Sequence, residues 1–237
     1  MKTPRSRVTR TTLSLVVIAI AGGPLGACAQ MSGGGGSPKT EDDKTLYALG
    51  QVIGRNIAVF DLSPAELEMV KSGMTDSVLK RKPAVEGDTY RAKIDQLARS
   101  RSQRVAEKEK ARGRTTIEAA AREPGAIKTP SGMVIRTVKP GTGPSPAPTD
   151  RVKVHYEGRL ADGTVFDSSR KRGEPTTFPL NGVIKCWTEG VGRMKVGEQA
   201  VLTCPSDMAY GDMGHQGTIP GGATLIFDVE LLDIVKQ

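Results

Sequence analysis

The spacing of apolar residues changes near residue 126, and this change decides which structures the two parts of the chain can form. Before it, apolar side chains recur every three or four residues, as over residues 46–57, which predicts amphipathic helices. After it, they mainly recur every second residue, as over residues 225–231, and glycine and proline separate the runs, which predicts strands. One short helical pattern, over residues 184–194, interrupts the strands. The chain is therefore predicted to be α+β, with a helical region followed by an antiparallel sheet wrapped on a short helix.

The helical region, predicted over residues 44–125, begins with two short helices. The second opens with Ser63, Pro64 and Glu66, a capped helix start in which Ser63 accepts from free amides and Glu66 bonds back to the cap. A hairpin of these two helices is the predicted arrangement. Large apolar residues are few here, and a region of this size seldom closes a core alone. Residues 41 to about 97 are therefore predicted to pair with a second copy in a homodimer.

A third helix is predicted from about Asp88, with an apolar face over residues 90–97 that ends at Ala98. Beyond this point arginine, lysine and glutamate alternate as far as Glu118. A helix that is polar on all sides either bridges domains through solvent or is unstable. We predict a long helix that bridges two domains, with Gly113 as its flexible point. The alternative, a helix whose charged residues simply form a solvated face, is nearly the same prediction.

The first 27 residues have the order of a secretory signal peptide. Four basic residues precede an apolar run over residues 13–20, and small residues precede Cys28. The sequence LGAC at residues 25–28 resembles the bacterial lipobox, in which the cysteine becomes the lipidated first residue; an ordinary signal peptide with a chance cysteine is the alternative. No aspartate follows Cys28, which resembles lipoproteins sorted to the outer membrane, so a lipid anchor at its periplasmic face is predicted. Residues 28–43, rich in glycine, are predicted to be a flexible tether.

Charge and composition exclude several classes of function. The leader holds four basic residues and no acidic ones, so half of the formal net charge of +8 belongs to the targeting signal. Because the remaining excess of positive charge is small, no nucleic-acid partner is expected. No apolar run reaches the roughly 18 to 20 residues of a membrane-spanning helix. With three cysteines, two histidines and no zinc-binding spacing, neither a metal nor another cofactor is predicted. Without a nucleophile-and-base order or a phosphate-binding loop, the expected site is an apolar pocket.

Five segments of the C-terminal part resemble, in order, the FKBP family of peptidyl-prolyl cis-trans isomerases. They are VHYEGRL at residues 154–160, DGTVFDSSR at 162–170, GVIKCWTEG at 182–190, AYG at 209–211 and IPGGATLIFDVEL at 219–231. The resemblance implies an FKBP-type isomerase domain over residues 126–237. Residues 41–125 are similar, more loosely, to the helical dimerisation region of periplasmic FKBPs of the macrophage infectivity potentiator type.

The resemblance implies a binding cleft with Trp187 as its floor. Catalytic roles fall, by the same resemblance, on Tyr156, Phe166, Asp167, Ile184, Tyr210 and Phe227. Binding roles fall on Arg172, Val183, Trp187, His215 and Ile219, although a lone loop histidine is more often structural. The implied substrates are proline-containing unfolded or exported polypeptides, and macrolide inhibitors are further ligands that the family suggests. Thr176 and Thr218 stand where many members carry larger apolar residues, which implies a more open pocket on that side.

Two functions are compatible with this resemblance. The leading hypothesis is a peptidyl-prolyl isomerase that assists the folding of exported proteins and also acts as a chaperone. The alternative is a catalytically idle chaperone or scaffold lipoprotein with the FKBP fold. The chain carries both the polar and the apolar residues of the implied cleft, such as Asp167 and Phe227, which favours the isomerase because an idle pocket need not keep both.

Two cysteines remain once Cys28 is assigned to the lipid anchor. Cys204 shares a strand face with Leu202, and Cys186 precedes Trp187 on the short helix expected to cross that sheet. In an oxidising compartment such a pair can form a disulfide, whereas buried free thiols are also typical of cysteine. Both alternatives stay open at the level of the sequence.

Overall fold

A computed structural model describes residues 37–215 and 217–235. The signal peptide predicted over residues 1–27, the lipidation site Cys28 and most of the tether lie outside the described residues. Within the described ranges, no helix combines the length and the apolar character needed to span a membrane.

Two short helices open the described chain, each with a capped start. α1 spans Glu41–Asn56 and α2 spans Pro64–Val78. At α2 the Ser63 amide donates to Glu66 Oε2 at 2.8 Å and the Glu66 amide donates to Ser63 Oγ at 3.4 Å. This reciprocal pair confirms the helix start predicted from the sequence, because it satisfies two amides that a helix end leaves without partners.

The predicted hairpin of α1 and α2 is wrong. The two helices make no extended contact, and a 3₁₀ turn that follows α1, Ala58–Phe60, packs instead on the third helix, α3, which spans Arg91–Ala121. Arg101 of α3 holds this corner, since its guanidinium donates to the Phe60 carbonyl at 3.3 Å and pairs with Glu66 at 2.5 Å. An apolar stripe predicts a helix but does not say which neighbour covers the stripe.

α3 is a continuous helix of 31 residues, about 46 Å long at 1.5 Å per residue. Its C-terminal half packs on the C-terminal sheet, so Gly113 is not a flexible point. Gly113 is buried, and a Cβ added there would come within 2.2 Å of Thr224 Oγ1. Ala106 is the other buried residue of the helix. Because α3 docks through small residues rather than a broad apolar stripe, hydrophobic periodicity did not reveal the contact.

Seven antiparallel strands form one sheet after the helices. β1 is Ala126–Lys128, β2 is Val134–Lys139, β3 is Arg151–Leu160, β4 is Val165–Ser168, β5 is Thr176–Pro179, β6 is Gln199–Cys204 and β7 is Leu225–Val235. Their order is β1-β2-β6-β7-β3-β4, and β5 also pairs with β3. The two long strands β3 and β7 therefore form the centre of the sheet. This architecture confirms the predicted fold class.

One edge of β3 is shared by two short strands. β5 pairs with the first part of β3, up to Val154, and β4 pairs with the part from Glu157 onward. Between them the chain makes an excursion through a short helix, α4, Ser169–Arg172. The buried Ser169 takes the place of a strand partner there, because the Tyr156 amide donates to Ser169 Oγ at 2.8 Å and the Ser169 hydroxyl donates to the Tyr156 carbonyl at 3.2 Å.

The hydrophobic core lies between this sheet and the helix α5, Lys185–Arg193. Side chains of β3 and β7 alternate mainly between buried positions and partly buried or exposed positions, as expected for a sheet whose core lies on one face. α5 packs through Cys186, Trp187, Gly190 and Val191, its buried residues. A Cβ at Gly190 would lie 2.8 Å from the Leu202 side chain, so glycine lets the helix approach the sheet closely.

Candidate active site

A cavity of about 440 Å³ opens above the indole ring of Trp187. Nine residues line it: Tyr156, Asp167, Phe178, Gly182, Val183, Ile184, Trp187, Tyr210 and Phe227. Its volume lies in the range of small-ligand sites, roughly 300 to 1,000 Å³. The sheet supplies the side walls, and α5 with the turn before it supplies the floor.

Three aromatic rings surround Trp187 edge-on. The centroid of its ring lies 5.2 Å from that of Tyr156, 5.4 Å from that of Phe227 and 5.6 Å from that of Phe178, at interplanar angles of 83° to 88°. Such edge-to-face pairs are preferred over face-to-face stacking. They fix the floor of the cavity, where Trp187 is only 4% exposed, and its Nε1 is a buried donor with no partner among the described residues.

The central strands explain why these rings meet. Gly158 of β3 lies opposite Phe227 of β7 in the strand register, two residues beyond Tyr156. A Cβ at Gly158 would lie 2.6 Å from the Phe166 ring and 2.9 Å from the Phe227 ring. The missing side chain therefore leaves room for Phe166 to pack edge-on against Phe227, with centroids 5.7 Å apart.

A polar cluster occupies one side of the cavity. The Tyr156 hydroxyl donates to Asp167 Oδ2, the Arg172 guanidinium pairs with Asp167 Oδ1, and Arg172 also donates to the Tyr156 hydroxyl at 3.1 Å. Burial and the Asp167 charge raise the pKa of Tyr156. Burial alone would raise the pKa of Asp167, but the hydrogen bonds from Tyr156 and Arg172 outweigh it and lower that pKa. At neutral pH the cluster therefore presents an ionised carboxylate held by neutral and cationic donors.

Two residues that carry hydrogen-bond donors line the cavity from other elements. Tyr210 lines it, and burial together with the charge of Asp167 raises the pKa of its hydroxyl, which stays protonated at neutral pH. Ile184 lies just before α5 as its N-cap residue, and within the described part of the chain no hydrogen bond uses its backbone amide. An amide at a helix start and a tyrosine hydroxyl can both bind a carbonyl oxygen.

Four of the residues assigned from the sequence lie outside the lining of the cavity. Phe166 packs behind Phe227, and Arg172 reaches the site through Asp167. The exposed His215 stacks on Tyr210 with ring centroids 4.9 Å apart and an interplanar angle of 24°. Ile219 is buried in the core and pairs with the backbone of His215.

Sequence reasoning missed three residues of this region: Phe178, Gly182 and Gly158. Phe178 and Gly182 line the cavity, and Gly158 makes room for its rings. Phe178 pairs through β5 with the start of β3, which brings it back to Trp187 from outside the recognised segments. The signal that could have identified it is its aromatic type in a chain with only 4% aromatic residues.

Cys186 and Cys204 are joined as a disulfide in the structure, with their Cα atoms 5.7 Å apart. Both are fully buried, and the bridge connects α5 to the end of β6 directly beside Trp187. The part of the chain that the structure describes holds no cluster of three residues suited to a metal ion. What the cavity offers is apolar surface, two carbonyl-binding donors and one ionised carboxylate.

Comparison with known proteins gives consistent matches over both parts of the chain. Residues 143–232 match the family model described as FKBP-type peptidyl-prolyl cis-trans isomerase, and residues 42–136 match the domain amino-terminal to such isomerases. The chain is 41% identical over 216 residues to an FKBP-type peptidyl-prolyl cis-trans isomerase FkpA of Aeromonas hydrophila, covering 84% of this chain and 80% of the relative. It is 32% identical over 206 residues to the outer membrane protein MIP of Legionella longbeachae, covering 83% and 87% of the two chains. The crystal structure of FkpA from Escherichia coli superimposes with a TM-score of 0.63 at 33% identity, over 84% of this chain and 98% of that one.

Proposed function

This chain belongs to the family of FKBP-type peptidyl-prolyl cis-trans isomerases, and on that premise we propose that the cavity over Trp187 is where it rotates the X-Pro bonds of its substrates. The enzyme class predicted from the sequence is confirmed by the matches of both family models and by the named relatives. The alternative of an idle scaffold has no support. The observation that carries the assignment of the site is the apolar floor of edge-on rings, with two carbonyl-binding donors at its rim.

The chemistry needs no covalent step. Resonance makes the peptide bond partly double and sets a rotation barrier of about 18 to 20 kcal/mol. Water favours the charge-separated resonance form, so transfer of the bond to an apolar cavity weakens the double bond. The Ile184 amide or the Tyr210 hydroxyl would hold the substrate carbonyl while the prolyl ring, resting on Trp187, turns with respect to it. Each tenfold acceleration corresponds to about 1.4 kcal/mol. Lowering the rotation barrier by several kcal/mol is therefore enough to accelerate the isomerisation by several powers of ten.

The polar cluster keeps this arrangement in place. Asp167 is ionised and joins Tyr156 to Arg172, so the three side chains form one rigid wall. We propose that the wall orients Tyr156 against the indole ring and sets the polarity beside the rotating bond. Phe227 has the complementary role, because its ring closes the apolar side of the floor.

Turnover of a proline tetrapeptide in a protease-coupled assay tests this site. Asp167→Leu and Phe227→Ala should each lower kcat/KM by tenfold or more, since each removes a wall of the cavity. Asp88→Leu is the matched control, because the Asp88 side chain is 93% exposed and lies in the helical region. Near wild-type turnover in a folded Asp167→Leu/Phe227→Ala double variant would exclude the proposed site.

We propose that the protein works at the periplasmic face of the outer membrane on exported, proline-containing polypeptides. The support is the leader with its lipobox, LGAC, ending at Cys28, and the printed name of the Legionella longbeachae relative as an outer membrane protein. Cys28→Ala should move the protein from the membrane fraction to the soluble fraction of an expressing bacterium. An unchanged distribution would contradict the lipid anchor.

We also propose that macrolide inhibitors enter the same cavity, and that they bind weakly. The resemblance to the family implies that Thr176 and Thr218 stand where many members carry larger apolar residues. Thr176 accepts a hydrogen bond from Arg172 at 3.3 Å, so this side of the site is polar. Quenching of the fluorescence of Trp187, the chain's one tryptophan, measures the affinity, and tight binding would contradict the proposal.

We propose that the helical region forms a homodimer. No residue of α1 or α2 is buried, and large apolar side chains such as Leu46 and Val78 are 65% and 75% exposed. Large apolar side chains exposed along both helices favour an interaction site, and a second copy offers the same side chains in return. A dimer would present two catalytic cavities together, an arrangement suited to holding one unfolded chain.

A further inference from the structure

The loop that follows Tyr210 closes on itself before the chain enters β7. This glycine loop, of which the structure describes residues 211–215 and 217–222, is shut at its base because the Gly222 amide donates to the Gly211 carbonyl at 2.8 Å. Inside it, the His215 amide donates to the Ile219 carbonyl at 2.8 Å. Since Tyr210 is the residue just before the base and His215 stacks on its ring, the position of the loop sets the position of Tyr210.

Helical residues touch the outer side of the glycine loop, backbone against backbone. A Cβ added to Gly222 would lie 2.3 Å from the Ala106 carbonyl oxygen of α3, and one added to Gly217 would lie 2.4 Å from the Arg55 carbonyl oxygen of α1. Ala106 is only 4% exposed. These distances leave no room for a side chain, so the loop is fixed against the helices by direct steric contact.

An ion pair ties the same loop to the same helix. Lys110 lies one turn beyond Ala106 on α3, and its Nζ is 2.5 Å from Asp212 Oδ1. Asp212 is two residues after Tyr210 and opposes Gly221 across the loop, where a Cβ would come within 2.0 Å of the Asp212 carbonyl oxygen. The loop is therefore held at its base by Ala106 and at its first turn by Lys110.

We propose that Ala106 and Lys110 are positioning residues of the isomerase, which hold Tyr210 in place for catalysis through the glycine loop. This inference rests on the proposed function of the Trp187 cavity. It makes α3 part of the support of the active site as well as a connection to the helical region. A misplacement of about 1 Å in a catalytic group can lower a rate as much as 100-fold, so the contact needs to move Tyr210 only slightly to matter.

The two contacts are expected to differ in strength. The Lys110 and Asp212 side chains are 43% and 62% exposed, and exposed ion pairs contribute little because water and salt screen them. The Ala106 contact is buried and cannot be screened. A larger side chain at Ala106 would push on backbone atoms of the loop, so it should disturb Tyr210 more than loss of the ion pair does.

A double-mutant cycle on the mature full chain tests the coupling. Ala106→Leu should lower kcat/KM for a proline tetrapeptide about fivefold or more, while Ala111→Leu, an exposed position of the same helix, stays within twofold of the wild type. In a Tyr210→Phe background, Ala106→Leu should have no further effect, because contacts that act through one group are not additive. A merely structural role of Ala106 would lower turnover equally in both backgrounds, and that result would overturn the proposal.

Charge reversal decides the matter if Ala106→Leu fails to fold. Lys110→Glu and Asp212→Lys should each lower kcat/KM about two- to fivefold, and the double reversal should restore it. Two unequal single effects that add in the double variant would overturn the proposal. Wild-type turnover in Tyr210→Phe would also overturn it, and would show that the assigned role of Tyr210 is at fault rather than the contact. If Phe227→Ala loses turnover but substitutions at Ala106 and Lys110 have no effect, the assignment of the cavity stands. The proposal that these two residues position Tyr210 is then overturned.

Discussion

The helical region and the sheet domain use apolar side chains in opposite ways. In α1 and α2 no residue is buried, whereas the sheet domain buries Leu202, Leu225 and Leu231 completely. Both have clear hydrophobic periodicity, and both form the elements that the periodicity predicts. The difference is that α5 covers the core face of the sheet, while α1 and α2 touch the rest of the described chain only at a few points and keep large apolar side chains exposed. Periodicity therefore identifies an apolar face without identifying what lies on it.

α3 belongs to both regions and shows the same contrast within one helix. At its start, Ile94 and Leu97 are 47% and 41% exposed. Farther along, Ala106 and Gly113 are buried against the C-terminal domain. The part with the predicted apolar stripe is exposed and the mainly polar part beyond it is packed, which is the reverse of what their hydrophobicity suggests. Small residues buried at a close backbone approach leave no mark in a hydropathy pattern.

The largest expected effect is loss of the proposed homodimer. Replacing Leu46 and Leu49 by aspartate puts charges on the exposed face of α1, where their burial against a second copy would be costly. Light scattering at micromolar concentration should give twice the chain mass for the wild-type lipid-free protein and a single chain mass for the double variant. Gln51→Asp is the control for added charge on the same helix. A wild-type monomer would show that something other than a second copy covers this face.

Removing the disulfide should weaken only the sheet domain. The bridge closes a loop with a sequence separation of 18, for which chain entropy predicts about 3 kcal/mol. Replacing Cys186 and Cys204 by alanine should lower the unfolding free energy of the sheet domain by this amount or more, without changing the helical region in denaturant titrations. Intact mass with and without reductant should differ by about 2 Da, since reduction of one disulfide adds two protons and two electrons. An unchanged mass, with two thiols titratable after denaturation, would mean that the cysteines are free.

Glycine-to-alanine substitutions should change stability in opposite directions where a helix packs on the sheet domain and where it is exposed. At Gly113 the new Cβ would meet Thr224 Oγ1 at 2.2 Å, so we expect destabilisation of about 1 to 3 kcal/mol. At Gly73 of α2 no atom lies within 4 Å of the added Cβ, and alanine should stabilise the helix by about 0.5 to 1 kcal/mol. Thermal unfolding of both variants measures this. Destabilisation by Gly73→Ala would mean that another backbone approaches α2 as closely as the sheet domain approaches α3.

The smallest expected effect is a pH dependence confined to the helical region. Hydrogen bonds from Arg101, and then from Ser63, lower the pKa of Glu66 from 4.5 to about 2. The folded state therefore binds the proton less tightly than the unfolded state, so the stabilisation is complete above pH 4.5 and is lost as the pH falls toward 2. Glu66→Gln should reduce stability in denaturant titrations at pH 7 and have no effect near pH 2. Glu68→Gln, on an exposed side chain of the same helix, is the control, and an equal loss for both variants at pH 7 would contradict a specific role of the Arg101 pair.

The sequence predicted the fold class, the cap of α2 and seven of the nine residues that line the cavity, because each depends on local pattern or on a recognisable segment. Tyr156, Trp187 and Phe227 stand in such segments, and the structure brings them together. Phe178 and Gly158 were missed because their contribution depends on which strands become neighbours. The hairpin and the flexible Gly113 were wrong for the same reason, since both require knowledge of what packs on a helix rather than of the helix itself.

The split edge of β3 bears on how selectivity can be changed in this protein. Because Ser169 already completes the hydrogen bonding of Tyr156, the strand stays satisfied where the chain departs between β4 and β5. Residues 173 and 174 of that departure, directly after Arg172, are exposed, and their backbone is not needed by the sheet. Segments of new length and sequence can therefore be grafted there, beside Arg172 at the rim of the cavity, to add contacts with the residues that flank the proline of a client.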